Sequence, residues 1–499
     1  MVKREYLEEA LQEISDEHLA EAACVKDAGA KVSGKRRKLW KPIVALVTAA
    51  AVLTVVVLSG GEWWNAGNTT KKNCALTAHA IGEAEYPEMS PYPDESKYIG
   101  ITGNFNDKSF SEVYDAWRED QKAQRNQPEG YTVGADRFAE LTIPRFLSGA
   151  GEENVVYSPL NAYMALAMAA ELTDGEAREQ ILKLLGADTI ETLRWKASAV
   201  WNAHYSNDTA TTSILASSLW LDEGISYNQS VIDVLVDTYY ASSYQGDLQS
   251  DEMGKLMKAW LSEQTGGLLD KYVDEITMDP ETVISLATTI YFREKWMDKF
   301  STAKTETGVF HSSVGDVECD FMYQKNGQNY YWAEKFGATY KSLENGEKMW
   351  FILPDEGVSV DEVLADPELI EFLEAGYSWE NSKTVQVHLY LPKFDISSSL
   401  DLTEGLMELG VTDIFNAGEA DFSPISEELA DGCFSQVEHA VRVAVDEDGV
   451  TAAAYTMMMY AGAAMPPDDE VEFKLDRPFI FAVTAWDGLP LFVGVVNQP

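Results

Sequence analysis

The apolar positions fall into three regimes along the chain. Residues 43–59 form one unbroken run, IVALVTAAAVLTVVVLS. From about Tyr131 apolar residues recur at intervals of three and four, which predicts amphipathic helices over 136–147, 160–171 and 176–185. Farther on, short runs rich in Val, Ile, Tyr and Phe predict strands over 284–292, 348–353, 385–391 and 479–484. Helices first and strands later indicate an α+β body over residues 131–499 rather than alternating βαβ units.

Ahead of that body, Ser109-Phe110-Ser111-Glu112 reads as a capping box. Phe110, Val113, Tyr114 and Trp117 follow on one helical face, so this helix is expected to dock on the body. Residues 60–130 therefore read as a stalk, with Pro87, Pro91 and Pro93, plus an accessory helix. The uncharged run, at about 1.5 Å rise per residue, reaches the lower limit for a hydrocarbon core of about 30 Å. Trp40 on one side and Trp63 and Trp64 on the other suit the headgroup level. Lys35, Arg36, Arg37, Lys38 and Lys41 precede the run. The expectation is a single-pass anchor over 42–59, a cytoplasmic tail over 1–41 and an extracellular body. Cleavage near Ser59, releasing a secreted form, is the alternative.

Composition narrows the function. The chain has 499 residues and a formal net charge of -44, which repels phosphate backbones and argues against a nucleic-acid partner. Four Cys do not make a disulfide framework. Cys24 and Cys74 lie on opposite sides of the expected span and cannot pair within one chain. Cys319 and Cys433 read as free, buried thiols unless the fold brings them together. The six His share no metal-ligand spacing, and no HExxH, GxSxG, GxGxxG or P-loop occurs. No catalytic constellation stands out, and neither metal nor cofactor is expected.

The segment with a mechanism is 443–467, VAVDEDGVTAAAYTMMMYAGAAMPP. It lacks the charge and turn residues usual in surface loops. Ala and Met favour a helix. Yet the alternate residues Val450, Ala452, Ala454 and Thr456 are small enough to slide between strands, which leaves Tyr455 on the outer face. A segment compatible with two states is what a conformational switch needs.

Glu447-Asp448-Gly449-Val450-Thr451-Ala452-Ala453-Ala454 resembles the hinge of serpins, the suicide inhibitors of serine proteases. Other matches follow in order: Asn154-Val155-Val156-Tyr157-Ser158-Pro159-Leu160; Trp260 with Thr265 and Gly267; Thr289-Ile290-Tyr291-Phe292 with Trp296; Leu391-Pro392-Lys393-Phe394; Asp476-Arg477-Pro478-Phe479; and Leu491-Phe492-Val493-Gly494. The resemblance covers roughly residues 131 to 499 and implies a serpin fold, with helices packed on three β-sheets and an exposed reactive-centre loop. It further implies a monomer that traps a target serine protease as a covalent acyl-enzyme when the cut loop inserts into the main sheet. Family loop length and Pro466-Pro467 both put the reactive bond at Ala463-Ala464, which suits an elastase-like or subtilisin-like protease; Tyr460-Ala461 and Met465 are the alternatives. By the same resemblance Glu447, Lys393 and Trp296 form the loop-entry cluster. Ser158, Asn161, Thr288 and His439 form the region where the sheet must part. A non-inhibitory surface binding protein on this fold is the competing reading.

Overall fold

The computed structural model describes residues 74–93, 98, 107–149, 151–208, 211–264, 284–429, 432–434, 437–447, 449–450, 467 and 469–499. Residues 1–79 and 80–499 are separate units, and the described part of the first is one short helix, α1 (Cys74–Thr77). The expected span over 42–59 lies outside the described residues. Among the described residues no helix is long and apolar enough to cross a membrane.

In the second unit the chain alternates apolar and polar residues where a strand has one wet face, and is continuously apolar where both faces are covered. One sheet has the order β1 (Ala80–Gly82), β5 (Ala241–Gly246), β4 (Thr212–Asp222), β6 (Ile284–Lys295), β14 (Gly449–Val450), β13 (Glu438–Val445), β12 (Phe394–Asp401), with β3 (Ser206–Asn207) beside β4. The other has the order β15 (Glu470–Lys474), β11 (Ser382–Pro392), β8 (Gly315–Trp332), β9 (Phe336–Ser342), β10 (Lys348–Pro354), β16 (Phe479–Thr484), β17 (Pro490–Val496), β2 (Val155–Tyr157), with β7 (Glu306–Ser312) beside β8. Of the three sheets that the resemblance implies, two run into one continuous ladder among the described residues. The cause is β8, which pairs with β7 and β11 and then, through Tyr331 and Trp332, with β9, so that two sheets become one continuous ladder.

The longer described helices are α2 (Asp107–Arg125), α3 (Ala135–Leu147), α4 (Pro159–Leu172), α5 (Gly175–Leu184), α6 (Ile190–His204), α7 (Gln229–Tyr239) and α8 (Asp251–Gln264), followed by the shorter α9 (Val360–Leu364), α10 (Pro367–Ala375) and α11 (Thr403–Glu408). The predicted helices appear as α3, α4 and α5, and the predicted strands as β6, β10, β11 and β16. Helix α4 is apolar all round and buried at every position except Ala165, because it packs on both β6 and β17 as well as on α3, α5, α6 and α7. It starts where Ser158 accepts the Asn161 N–H and Pro159 occupies the first turn.

Residues 80–93 and 107–125 lie against the body. β1 pairs with β5 and covers what would be an open sheet edge. Tyr86 packs on Trp201, with ring centroids 5.5 Å apart. The Trp117 Nε1–H donates to Asp208 Oδ2 at 3.0 Å, and Tyr92 meets the Trp117 ring edge-on at 5.0 Å. Helix α2 begins at Asp107, two residues before the proposed cap, so Ser109 and Glu112 sit inside the helix. Phe110 and Trp117 are buried, whereas Val113, placed on the same face by the sequence pattern, is exposed. Cys319 is half-buried and Cys433 is exposed; both are free thiols.

Replacing Trp117 by Ala removes a buried indole and one donor to Asp208. The expected loss is about 3 kcal/mol of unfolding free energy, measured by urea denaturation, with Val113→Ala at the exposed position within about 0.5 kcal/mol of the parent chain.

Candidate functional site

The alternation of β13 buries Val441, Val443 and Val445, and that of β6 buries Ile290, Phe292 and Glu294. These two strands form the walls of a seam. Between them lies β14, antiparallel to both: Gly449 faces Lys295, and Val450 faces Glu294 on one side and Val445 on the other. Among the described residues β6 and β13 approach each other directly but make no ladder, and β14 supplies the ladder between them.

The return from β13 to β14 is tight. The Asp446 N–H donates to the Gly449 carbonyl at 3.1 Å, and the Gly449 N–H donates to Asp446 Oδ1 at 3.2 Å. A Cβ on residue 449 would lie 2.3 Å from the Glu294 carbonyl oxygen and 2.7 Å from the Lys295 Cα, so only glycine fits this approach. Thr451, Ala452, Ala453 and Ala454, together with the expected reactive bond at Ala463-Ala464, lie outside the described residues.

The loop-entry residues meet. Trp296 is fully buried and its Nε1–H donates to the Asp446 carbonyl at 2.9 Å. Glu447 pairs with Lys393 at 2.7 Å, accepts the Thr305 hydroxyl at 2.7 Å, and its carbonyl accepts the Phe300 N–H at 3.1 Å. Burial disfavours the Glu447 charge, but the Lys393 ammonium and the Thr305 hydroxyl outweigh it and hold this carboxyl below its ordinary range. Sequence reasoning matched Thr305 to the family pattern without placing it in this cluster, and it missed Lys341. The Lys341 ammonium donates to the Asp298 carbonyl and Gln324 Oε1 and lies 4.3 Å from the Phe300 ring centroid and 5.5 Å from that of Trp296. Burial pushes its amine down to about 7.

The sheet-parting residues meet only in part. The Ser158 N–H donates to His439 Nε2 at 3.0 Å, and the Ser158 hydroxyl caps α4 at Asn161. The Asn161 side-chain amide is buried with no hydrogen-bond partner on its Nδ2. Thr288 pairs across to Ser217 on β4, on the other wall of the seam from His439. A residue not singled out from sequence, Ser398 on β12, clamps this corner: its hydroxyl accepts the Val156 N–H at 2.9 Å and donates to the Val156 carbonyl at 2.7 Å.

His439 is fully enclosed, its ring edge-on to Tyr157 at 5.3 Å, and burial pushes its imidazole down to about 4 from 6.5. Between these values the unfolded chain binds a proton that the folded chain refuses. The contribution of His439 to stability is therefore complete above pH 6.5 and is lost as pH falls through 4. Urea unfolding at pH 7.5 and 4.5 should show a decline that is smaller by roughly 2–3 kcal/mol in His439→Gln, whose amide still accepts from Ser158.

Comparison with known proteins agrees with this geometry. The family model described as "Serpin (serine protease inhibitor)" matches residues 134–499. Serpin-ZX of Arabidopsis thaliana is 28% identical over 368 residues, covering 69% of this chain and 92% of its own. The leukocyte elastase inhibitor of Homo sapiens is 28% identical over 357 residues, covering 69% and 93%. The thermophilic serpin tengpin in its native state superposes with a TM-score of 0.66 at 28% identity, covering 75% of this chain and 95% of that one. The matched region contains both walls of the seam and the hinge between them, and the chain belongs to the serpin family.

Proposed function

We propose that the chain inhibits a serine protease that prefers a small residue before the cleaved bond, and that it does so by inserting its cut loop into the seam. The observation that carries the reading is the register of β14. Continued unchanged, it would set Ala452 opposite Phe292 and Val443, Ala454 opposite Ile290 and Val441, and Thr456 opposite Thr288 and His439. Those neighbours line the buried side of both walls except for Thr288, which is half-buried. The small side chains therefore fall where space is least and Tyr455 falls on the outer face.

The chemistry follows from the loop. The protease serine attacks the Ala463 carbonyl, the amine of Ala464 leaves, and an ester joins the two proteins. The freed strand then enters the seam at about 3.3 Å per residue, drawing the acylated protease with it. About ten new ladder hydrogen bonds, each worth ~0.5–1.5 kcal/mol, drive the insertion. Distortion of the oxyanion hole and triad leaves the ester unhydrolysed. The uncharged run at 43–59 supports display of the body on a cell membrane; retention of the intact chain in the pellet after alkaline carbonate extraction is the expected result.

Incubation with pancreatic elastase and with subtilisin should give an SDS-stable complex and a released peptide that begins at Ala464 by mass spectrometry. Clean turnover, with no gain in melting temperature after cleavage, would sink the inhibitory reading in favour of a binding protein on the same fold. Ala454→Arg forces a charge into the apolar side of the seam, so the yield of complex should fall by about tenfold or more while cleavage continues.

A further inference from the structure

Glu294 is a carboxyl in an unexpected place. It is fully buried on β6, on the edge that receives β14, in a row otherwise made of Ile290 and Phe292. Its Oε1 accepts the Asn345 N–H, and its Oε2 has no donor. Glu347 approaches from the turn before β10. It too is buried, with Oε1 3.5 Å from Arg125 Nη2 and Oε2 lacking a donor. Both carboxyls reach the same turn, Glu294 through the Asn345 N–H and Glu347 through Arg125, which also grips the Asn345 carbonyl, and each keeps one buried oxygen that a proton on the pair would supply with a donor.

Burial first, and the Glu347 charge second, raise the Glu294 carboxyl well above its ordinary range, while the Asn345 N–H and Arg125 pull the other way. The other charged groups around the pair are accounted for. Arg125, the last residue of α2, also donates to the Asn345 carbonyl at 2.9 Å and lies over the Trp486 ring. Lys348 on β10 is lowered by burial and raised by Glu347. His204 on α6 is occupied by Asp487 at 3.2 Å. Arg293 and Lys295 occupy the alternate, half-exposed face of β6. Farther along the seam His439 stays neutral above about 4.

We propose that Glu294, with Glu347 beside it, is a positioning residue for the hinge, protonated while β14 is seated between β6 and β13 and releasing that proton to water when β14 withdraws. The physical basis is the cover on that edge. Among the described residues β14 is what pairs with β6 there, and Gly449 lies directly against the Glu294 backbone. Withdrawal opens the edge, and solvent then stabilises the doubly ionised pair that the closed seam excludes. The seated state holds one more proton, so its population relative to the withdrawn state falls as pH rises, by at most about tenfold per pH unit. This inference deepens the proposed inhibitory reading, since the withdrawn hinge is the one that offers the loop to a protease.

The test needs no protease, so a chain that traps none still answers it. Amide hydrogen exchange of the hinge peptide around Gly449 and Val450 is followed in the full-length protein from pH 5.5 to 8 and corrected for chemical exchange. Protection should fall by about tenfold or more across that range in the parent chain and stay within about twofold in Glu294→Gln. Equal slopes in the two chains, or no slope in the parent, would overturn the proposal. Glu347→Gln removes the neighbouring negative charge and should move the transition to lower pH. Arg125→Met removes the compensating cation and should move it to higher pH. Transitions that stay put in both variants refute the assignment even if Glu294→Gln does not fold.

Discussion

The structure depends on one consequence of strand direction. Chain leaving β13 through a tight turn can only return antiparallel to it, and β14 is at the same time antiparallel to β6. The walls β6 and β13 are therefore parallel to each other, and the space between them accepts a strand of one orientation only. The segment able to supply it is the one that follows β13. Gly449 fixes the starting register because no other residue fits against the Glu294 carbonyl. From there the period of two decides which loop residues meet the core and which meet solvent. Under the proposed insertion, the smallness of Ala452 and Ala454 answers a packing requirement set by Phe292, Val443, Ile290 and Val441.

The loop-entry cluster holds the turn at its open end. Glu447 is gripped through its side chain by Lys393 and Thr305 and through its carbonyl by the Phe300 N–H, while Trp296 reaches the neighbouring Asp446 carbonyl. These bonds come from two stretches of chain, 296–305 between β6 and β7 and Lys393 between β11 and β12, each of which links the two sheets. Each contact is modest alone, because Lys393 is partly exposed and its pairing is screened. Their convergence on two consecutive residues is what makes the turn a fixed anchor for the segment proposed to insert.

Much of this was legible in the sequence, and the failures have specific causes. Periodicity located α3, α4, α5 and the core strands because their partners impose one apolar face or two. Glu447, Lys393 and Trp296 were found through resemblance, and they meet. Glu294 was overlooked because Arg293-Glu294-Lys295 reads as a charged, solvated triplet among 82 acidic residues. A signal was present: counting by two from Ile290 and Phe292 lands on Glu294, on the buried face. The stalk reading failed for residues 80–93 because Tyr86 and Tyr92 are isolated anchors in a polar, Pro-containing stretch. Their partners Trp201 and Trp117 are distant in sequence, and no local pattern records such contacts. The capping box at Ser109 matched a local motif, but α2 starts earlier and its buried face is chosen by Asp208 and Tyr92.

Residues 80–125 also change the mechanics of the sheet. β1 extends the ladder past β5, and α2 packs on α6, so the half of the sheet on the β6 side of the seam carries an added strand and an added helix. β4 and β6 pair along ten residues, from Thr212 to Leu221, so this half of the sheet is bound into one long ladder. Arg125 at the end of α2 grips the turn that contacts Glu294, so the same N-terminal segment reaches the edge of β6 that receives β14. The hinge thus adjoins two carboxylate sites of different character. One is partly solvated and ionised at Glu447; the other is buried, with the proposed proton on Glu294 beside Glu347. The first resists acid only down to its own depressed range, while the second is strongest when protonated, so each secures the hinge where the other weakens.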